Sequence, residues 1–218
     1  MNDEFLKYVN NFIGVYQLDD SSRYRSFDYI RKAFLSNRKD KTKKEYITLH
    51  LYTYLASWGM LRNSFLMQKD YLFNKGIVEI LYKSKYDSLI NYDPFKSDND
   101  AEIDLIISLV NEIKNYYKGK RYYKETIEPK IIQEVTDTLV SKIILGTFGC
   151  TVAYDNYVKK GLKSLHKNQR LNKESINEIN NLAREYQTEI NISLKKINSL
   201  YTPIKIIDMY LFELGKEV

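Results

Sequence analysis

The residues best suited to chemistry form a basic run in the second half of the chain. From Asn156 to Lys173 every side chain with a fixed charge is basic. Lys159 and Lys163 are four residues apart and therefore share one face of a helix, and rows of such cations contact the phosphates of nucleic acids. The predicted phosphate-binding residues, called the basic run below, are Lys159, Lys160, Lys163, Lys167 and Arg170. The alternative interpretation is a solvated helix end followed by a basic loop.

A glycine-containing turn precedes the basic run. Gly146 and Gly149 permit a tight turn or a close approach of the backbone. A new helix is predicted to begin near Thr151 or Val152, which places Asp155 in its first turn, where the helix dipole favours a carboxylate. Exposed amide groups at a helix start also bind phosphate. The turn and the basic run together therefore predict a phosphate-binding surface.

The segment Asp137 to Lys163 resembles part of the helix-hairpin-helix DNA glycosylases. The resemblance rests on Phe148-Gly149, followed by an intervening run and then, after an apolar pair, by Asp155. It implies an all-α body of two lobes, a catalytic role for Asp155 in loss of the base, and Lys142 as the nearest counterpart of the family's catalytic lysine. The sequence departs from the family's Gly-x-Gly hairpin, because Gly146 and Gly149 have two residues between them, and it lacks cysteines for an iron–sulfur cluster. Both an active and a non-catalytic member are compatible with these residues.

A second candidate site surrounds the single tryptophan. Trp58 is followed by Gly59, and the polar residues from Arg62 onward interrupt an otherwise apolar stretch. Enzymes that act on an extruded base stack it against aromatic rings, so Trp58 and Arg62 are predicted to line a pocket. The alternative is a helix end packed by Trp58 in the core. The segment 54–66, YLASWGMLRNSFL, also resembles bacterial proteins that have no assigned function.

No metal and no cofactor is predicted. One cysteine and two histidines, His50 and His166, argue against a zinc site. The glycine-rich P-loop motif, the dinucleotide-binding motif and the nucleophile-elbow motif are absent from the sequence. Cys150 is expected to be a buried core residue. Lys205 and Asp208, three residues apart on the last predicted helix, are interpreted as a surface pair. The alternative is that the pair is buried and connects the last helix to the segment Asp137 to Lys163, with Asp155 as the partner of Lys205.

Composition limits the class of protein and of partner. The 218 residues are 44% hydrophobic and 28% charged, which is typical of a folded globular chain. The net charge of +6 suits a polyanion such as nucleic acid, whereas the 20 tyrosines suit a protein partner. The N-terminus is acidic and amphipathic rather than a signal peptide, and no apolar run reaches the roughly 18 residues of a membrane span. A cytoplasmic location without membrane association is predicted.

Periodicity predicts an all-α fold in a single domain of residues 1–218, with two lobes that meet near residues 87–99. The third helix is apolar nearly all round and is predicted to be central and covered, with Thr42 and Glu45 as its capping box. Thr202 and Pro203 are predicted to begin the last helix and Gly215 to follow it. Predicted helices span residues 3–16, 22–34, 43–60, 69–83, 101–117, 130–145, 174–200 and 203–214, and the one over 69–83 is predicted to be interrupted or bent near Asn74-Lys75-Gly76.

Overall fold

The computed structural model describes residues 2–125 and 127–218 and confirms the predicted all-α fold. The α-helices in these ranges are α1 (Asp3–Leu18), α2 (Ser26–Asn37), α3 (Lys44–Ser57), α4 (Lys75–Leu81), α5 (Asp100–Tyr117), α6 (Asp137–Thr147), α7 (Asn156–Ser164), α8 (Lys173–Glu185), α9 (Gln187–Leu194) and α10 (Pro203–Glu217). Shorter 3-10 turns lie at Arg23–Arg25, Lys41–Lys43, Phe65–Gln68, Tyr71–Asn74 and Ser84–Asn91. Strands β1 (Arg121–Tyr122) and β2 (Lys130–Ile131) pair antiparallel. None of the helices in the described ranges has both the length and the apolar character needed to cross a bilayer.

Side-chain caps set where several helices begin. The side-chain oxygens of Asn2, Thr136, Asp155, Asn172 and Thr202 accept backbone N–H groups of the first turns of α1, α6, α7, α8 and α10. Each bond satisfies a donor that has no partner inside its helix. The predicted start of the last helix at Thr202 and Pro203 is confirmed.

The third helix begins differently from the prediction. Asp40 accepts hydrogen bonds from both the backbone N–H and the hydroxyl of Thr42, at 2.9 and 2.6 Å, and caps the 3-10 turn Lys41–Lys43 that precedes α3. Glu45 accepts the hydroxyl of Tyr71 at 2.8 Å. The capping-box prediction was therefore wrong, because the N–H of Thr42 that Glu45 would accept is bonded to Asp40, and α3 begins without a side-chain cap.

Three predicted helix bounds were also wrong. Residues 130–131 form β2, and α6 begins only after its cap Thr136. The helix predicted over 174–200 is divided at Tyr186, whose ring stacks on Phe5 with 4.6 Å between centroids. The helix predicted from Thr151 begins at Asn156, because the segment before it is held extended by hydrogen bonds to its neighbours.

The last helix, rather than the third, occupies the centre of the molecule. Every residue from Ile204 to Glu213 is buried, and α10 packs on α1, α7, α8 and α9. The third helix is only partly covered, since Tyr46 and Leu49 on its outer face are each 48% exposed. The prediction of a central buried helix was thus right in kind but named the wrong segment.

Two glycines allow α7 and α10 to touch backbone to backbone. A Cβ atom on Gly215 would overlap the carbonyl oxygen of Tyr157, and one on Gly161 would overlap the carbonyl oxygen of Leu211. Gly215 therefore lies within α10, which continues to Glu217, and does not end it as predicted. This crossing fixes the position of α7, and with it the start of the basic run.

A single cluster of buried side chains includes residues from both sides of the segment 87–99. Within that segment Leu89 is fully buried, and the hydroxyl of Tyr92 donates to Asn180 at 2.9 Å. The segment predicted as a loop between lobes is therefore part of the packed core.

Candidate functional site

Lys142 and Asp155, the two residues that the glycosylase resemblance singled out, form an ion pair. Lys142 Nζ lies 2.8 Å from Asp155 Oδ2, and the two side chains are only 4% and 15% exposed. Asp155 Oδ1 also accepts the backbone N–H of Val158 at 3.1 Å, so the carboxylate caps α7 at the same time. A charge pair that is so little hydrated interacts strongly, because few water molecules screen it.

The segment between α6 and α7 holds the pair in place. Its turn begins at Gly149, whose φ of +66° favours glycine. Beyond the turn, the N–H of Tyr154 donates to the hydroxyl of Ser141 at 2.9 Å, and the hydroxyl of Thr138 donates to the carbonyl of Tyr154 at 2.6 Å. These bonds lay the chain back along α6, so that Asp155 ends beside Lys142.

The end of α6 is fixed by residues from two other helices. Arg31, which is 3% exposed, donates to the carbonyl of Thr147, and the hydroxyl of Thr202 donates to the carbonyl of Gly149 at 2.7 Å. A cation beside the final carbonyls of a helix complements the helix dipole. The turn is therefore tied to α2 and to the start of α10.

A groove of two adjoining cavities, of about 840 and 650 Å³, opens beside the pair. Both cavities are lined by Arg23, Trp58 and Arg62, and the smaller one reaches Lys142 and Asp155. The predicted pocket residues and the predicted catalytic residues therefore share one groove, although they lie far apart in the sequence. Ligand sites are typically of this size.

Trp58 belongs both to the core and to the groove. Its indole N–H donates to Ser26 at 3.1 Å, and its ring packs edge-on against Tyr24 and Phe212. Lys142 Nζ lies 4.7 Å and Arg23 Cζ 5.3 Å from the ring centroid, within the range of cation–π attraction. The two interpretations of Trp58, core packing and pocket wall, both describe part of its surroundings.

The charged lining of the groove is mainly basic. Five cations border it, namely Arg23, Arg62, Lys124, Lys130 and Lys142. Three carboxylates border it, namely Glu125, Glu134 and Asp155, of which Asp155 is already paired. An anionic ligand is therefore favoured over a cationic one.

A second buried ion pair lies behind Trp58. Lys205 Nζ is 2.7 Å from Asp208 Oδ2, with side chains 3% and 6% exposed, and it lies 4.9 Å from the ring of Phe12. Asp208 Oδ1 accepts the backbone N–H of Ala153 at 2.8 Å. The surface-pair interpretation was therefore wrong, since the pair is enclosed by the core. The last helix is connected to the segment Asp137 to Lys163, but the contact is between Asp208 and Ala153 rather than between Lys205 and Asp155.

The basic run leads away from the groove along α7. Asn156 and Tyr157, the first residues of α7, line the groove. Lys160 Nζ donates to the backbone carbonyl of Val218 at 2.7 Å, while Lys163 and Arg170 are exposed.

Lys159 and Lys167 are half-buried. Burial would raise the pKa of Asp137, but hydrogen bonds from Lys114 and Leu171 and the nearby charge of Lys159 outweigh it, so the pKa is lowered. Part of the charge of Lys159 is therefore used within the protein.

Cys150 is buried, as predicted. Its side chain is 1% exposed, and desolvation raises the pKa of the thiol to about 12. A thiol with that pKa is almost entirely protonated at neutral pH and is a poor nucleophile. Residues 2–125 and 127–218 bring together no group of histidine, cysteine and carboxylate side chains that could hold a metal ion.

Sequence reasoning missed one wall of the groove. Residues 119–122 pair with residues 130–132 as the two arms of a β-hairpin, in which Gly119 N–H donates to the carbonyl of Ile132 at 2.8 Å, and Tyr122 and Lys130 line the groove. The only signal was a short stretch of aromatic and β-branched residues around Pro129.

Comparison of the chain with protein-family models, with curated proteins and with solved structures finds no match. The resemblance of residues 137–163 to helix-hairpin-helix glycosylases stays a prediction.

Proposed function

We propose that this chain is a cytoplasmic bacterial nucleic-acid-binding protein that takes a nucleotide of a single-stranded or opened segment into the groove. The observation that carries the proposal is the position of Trp58, in a mainly basic groove that ends at the buried pair of Lys142 and Asp155. Aromatic rings and cations in one groove are the two features that single-stranded nucleic acid requires.

Phosphates supply the first part of the affinity. Arg23, Arg62 and Lys130 border the groove, and Lys163 and Arg170 extend the positive charge along and beyond α7. Each cation that neutralises a phosphate releases a counterion, which makes the affinity dependent on salt. The path from the groove to the basic run suits a strand of several nucleotides.

Stacking of bases on aromatic rings supplies the second part of the affinity. Trp58, Phe65 and Tyr122 all line both cavities of the groove. A base stacked on such a ring contributes about 1–3 kcal/mol, whatever its identity. The groove is thus suited to hold a base without reading its sequence.

The resemblance to glycosylases implies a reaction for the buried pair. Asp155 Oδ2 is placed to accept the proton that the Lys142 ammonium must lose, since the two atoms are 2.8 Å apart. The neutral amine can then form a bond to C1′ of the sugar while the glycosidic bond breaks. Its electron pair leaves with the base, which takes a proton from water. The nitrogen then loses a further proton, and the bond between C1′ and the ring oxygen breaks with its electron pair left on that oxygen, which takes up a proton. The resulting iminium can be reduced by borohydride.

Binding of labelled single-stranded oligonucleotides across a salt series tests the nucleic-acid proposal. We expect the affinity to fall steeply as salt rises, and we expect the fluorescence of Trp58, the only tryptophan, to be quenched on binding. A variant with Lys163, Lys167 and Arg170 changed to Ala should show a logarithmic salt slope smaller by about 2, or roughly 0.7 for each lost phosphate contact.

The matched control changes the same amount of charge elsewhere. Lys32, Lys39 and Lys195 are exposed and lie outside both the groove and the basic run. Their change to Ala also lowers the net charge by three but should leave the salt slope near that of the unmodified chain. An equal decrease of the salt slope in both variants would show that only the net charge of the chain matters. Absence of binding at low salt would refute the proposal.

Incubation with oligonucleotides that carry an oxidised, a deaminated or an alkylated base tests the reaction. We expect borohydride to trap a covalent complex that Lys142→Gln abolishes. Asp155→Asn keeps a capping oxygen and should slow trapping by about a hundredfold, the usual effect of removing one electrostatic group. Binding without any base release would instead identify a non-catalytic member, and trapping by Lys142→Gln would reject Lys142 as the nucleophile.

A protein partner is the alternative, and one surface favours it. Tyr29, Tyr46 and Leu49 are 57%, 48% and 48% exposed on neighbouring helices, and a cavity of about 180 Å³ lies between Tyr29, Leu49 and His50. Aromatic side chains are enriched at protein interfaces. An interface of this kind would show little dependence on salt, in contrast to phosphate binding.

A further inference from the structure

A separate cavity, called the basic cavity below, lies at the opposite end of α3 from the groove. The last residues of α3, Ala56 and Ser57, border the groove, whereas Lys44, its first residue, borders the basic cavity. The 14 residues of α3 separate the two ends by about 20 Å, at a rise of roughly 1.5 Å for each residue. The basic cavity is therefore distinct from the site proposed above.

The connection between α2 and α3 supplies most of the positive charge of the basic cavity. Residues 38–44, RKDKTKK, contain five lysines and arginines and one aspartate, a net charge of +4 in a chain whose total is +6. Four of these five cations border the cavity, and so does Lys83, which also pairs with Glu112 at 2.6 Å. With the carboxylates of Glu79 and Asp87, the described residues of the lining carry a net charge of +3. A ligand with several negative charges is favoured.

Three lysines of the basic cavity are available to such a ligand. Lys39 and Lys41 are exposed, and in residues 2–125 and 127–218 neither has a carboxylate within 4.0 Å. Lys44 Nζ lies 3.3 Å from Glu79 Oε1, with side chains 25% and 54% exposed. A pair that is so hydrated is weak, so an anion in the cavity competes with Glu79 for Lys44.

Arg38 adds a buried charge to the lining. Its side chain is 5% exposed, and its Nη2 donates to Asp87 Oδ1 at 2.7 Å and to the carbonyl of Leu81 at 3.4 Å. Its Nε has no hydrogen-bond partner among the described residues, and Asp87 is 49% exposed, so water weakens the pair. A buried cation that is incompletely paired is costly. A negative charge in the cavity would offset that cost.

The carbonyl groups near the basic cavity already have donors. The hydroxyl of Tyr82 donates a hydrogen bond that is shared between the carbonyl oxygens of Asn37 and Asp40, at 2.9 and 3.1 Å. The carboxylate of Asp40 accepts the N–H and the hydroxyl of Thr42. The ammonium groups therefore remain to bind a ligand.

We infer that the basic cavity binds a small ligand with two linked phosphate groups, held by Lys39, Lys41 and Lys44 in front of Arg38. This site goes beyond the proposed function, since it lies apart from the groove. Its volume of about 410 Å³ is near the lower limit for small-molecule sites and suits a small ligand rather than a strand. Each ammonium has three donors, so lysines of the connection and of α3 reach both phosphates together.

Calorimetric titration with inorganic pyrophosphate, at constant ionic strength, tests the inference. We expect pyrophosphate to bind about tenfold more tightly than inorganic phosphate, because the second phosphate adds charge-assisted hydrogen bonds. Lys39→Gln with Lys41→Gln should weaken pyrophosphate binding roughly tenfold for the same reason. Absence of binding, or equal affinity for the two anions, would overturn the assignment.

The matched control is Lys32→Gln with Lys195→Gln. Both lysines are exposed and lie outside the lining of the basic cavity, so the control removes the same charge from elsewhere. It should bind pyrophosphate as the unmodified chain does. Equal weakening in the two variants would overturn the site, because pyrophosphate would then respond only to the net charge of the chain.

Glu79→Gln should change the affinity in the opposite direction. It removes a carboxylate from the lining and releases Lys44 from its ion pair, so pyrophosphate should bind several-fold more tightly. Misfolding cannot produce such a gain. Weaker binding of pyrophosphate by Glu79→Gln would contradict an anion site at this position.

Single-stranded oligonucleotide distinguishes the basic cavity from the groove. Lys39→Gln with Lys41→Gln should bind the oligonucleotide as the unmodified chain does, and the oligonucleotide should not displace pyrophosphate. Displacement, together with weaker oligonucleotide binding by this variant, would overturn the small-ligand site in favour of a second nucleic-acid contact. Pyrophosphate binding without any oligonucleotide binding would refute the groove proposal and leave the basic cavity standing.

Discussion

Replacement of Lys205 with Met is expected to lower the free energy of unfolding by about 3–5 kcal/mol, the usual cost of leaving one partner of a buried ion pair without the other. Lys205 and Asp208 are 3% and 6% exposed, so water cannot replace the lost contact. Asp208 would keep only the N–H of Ala153 as a partner. Denaturation by urea, with Lys205→Met and the unmodified chain side by side, measures the difference.

Two controls separate burial from charge. In Lys205→Met with Asp208→Asn, no buried charge remains and an oxygen still accepts the N–H of Ala153, so much of the loss should be recovered. Lys173 and Asp104 form a pair at almost the same distance, 2.8 Å, but their side chains are 48% and 65% exposed. Lys173→Met should therefore have little effect on the free energy of unfolding. Equal losses for Lys205→Met and Lys173→Met would show that burial adds nothing to the cost of breaking the first pair.

Replacement of Gly215 with Ala is expected to destabilise the protein by about 3 kcal/mol, at the upper end of the usual cost of overpacking. The added methyl group would overlap the carbonyl oxygen of Tyr157. That oxygen is part of the backbone of α7 and cannot rotate away as a side chain could, so the two helices must separate. Thermal unfolding should show a midpoint lower by several degrees.

A change of glycine to alanine in α1 should have the opposite effect on the stability of the protein. A methyl group on Gly14 would meet no atom within 4 Å. Gly14→Ala should therefore stabilise the protein by about 0.5–1 kcal/mol through helix propensity alone. If Gly14→Ala and Gly215→Ala changed the midpoint by the same amount, the close crossing of α7 and α10 would be excluded.

The sequence predicted those parts of the fold that depend on neighbouring residues, such as helix caps and the spacing of apolar side chains. Thr202 and Pro203 begin α10, and the apolar stripe from Ile103 to Ile113 lies buried on α5. Residues 130–136 could not be assigned in this way, because the apolar spacing of Ile132 and Val135 fits a helix. Both side chains are nevertheless buried in a segment that is not helical.

In the candidate site, too, features that depend on neighbouring residues were predicted, and contacts between distant segments were not. Asp155 was identified from its predicted place in the first turn of a helix and from the glycosylase resemblance, and Lys142 from the resemblance alone. Their contact depends on the hydrogen bonds of Tyr154 to α6, which no spacing in the sequence indicates. Arg23 and Tyr122 join the groove from distant segments and carry no local sign of doing so. The burial of Lys205 likewise follows from the helices that surround α10, not from its neighbours in sequence.

The central place of α10 has a consequence for the nascent chain. Every helix that packs on α10 is translated before it, so the apolar faces of α1 and α7 have no complete partner until residues 203–217 leave the ribosome. At ordinary rates of synthesis this interval lasts on the order of ten seconds for α1. During that time the emerging chain presents Phe5, Val9 and Phe12 to any chaperone nearby. The core is thus completed only after α10 has been synthesised, later than every helix that packs on it.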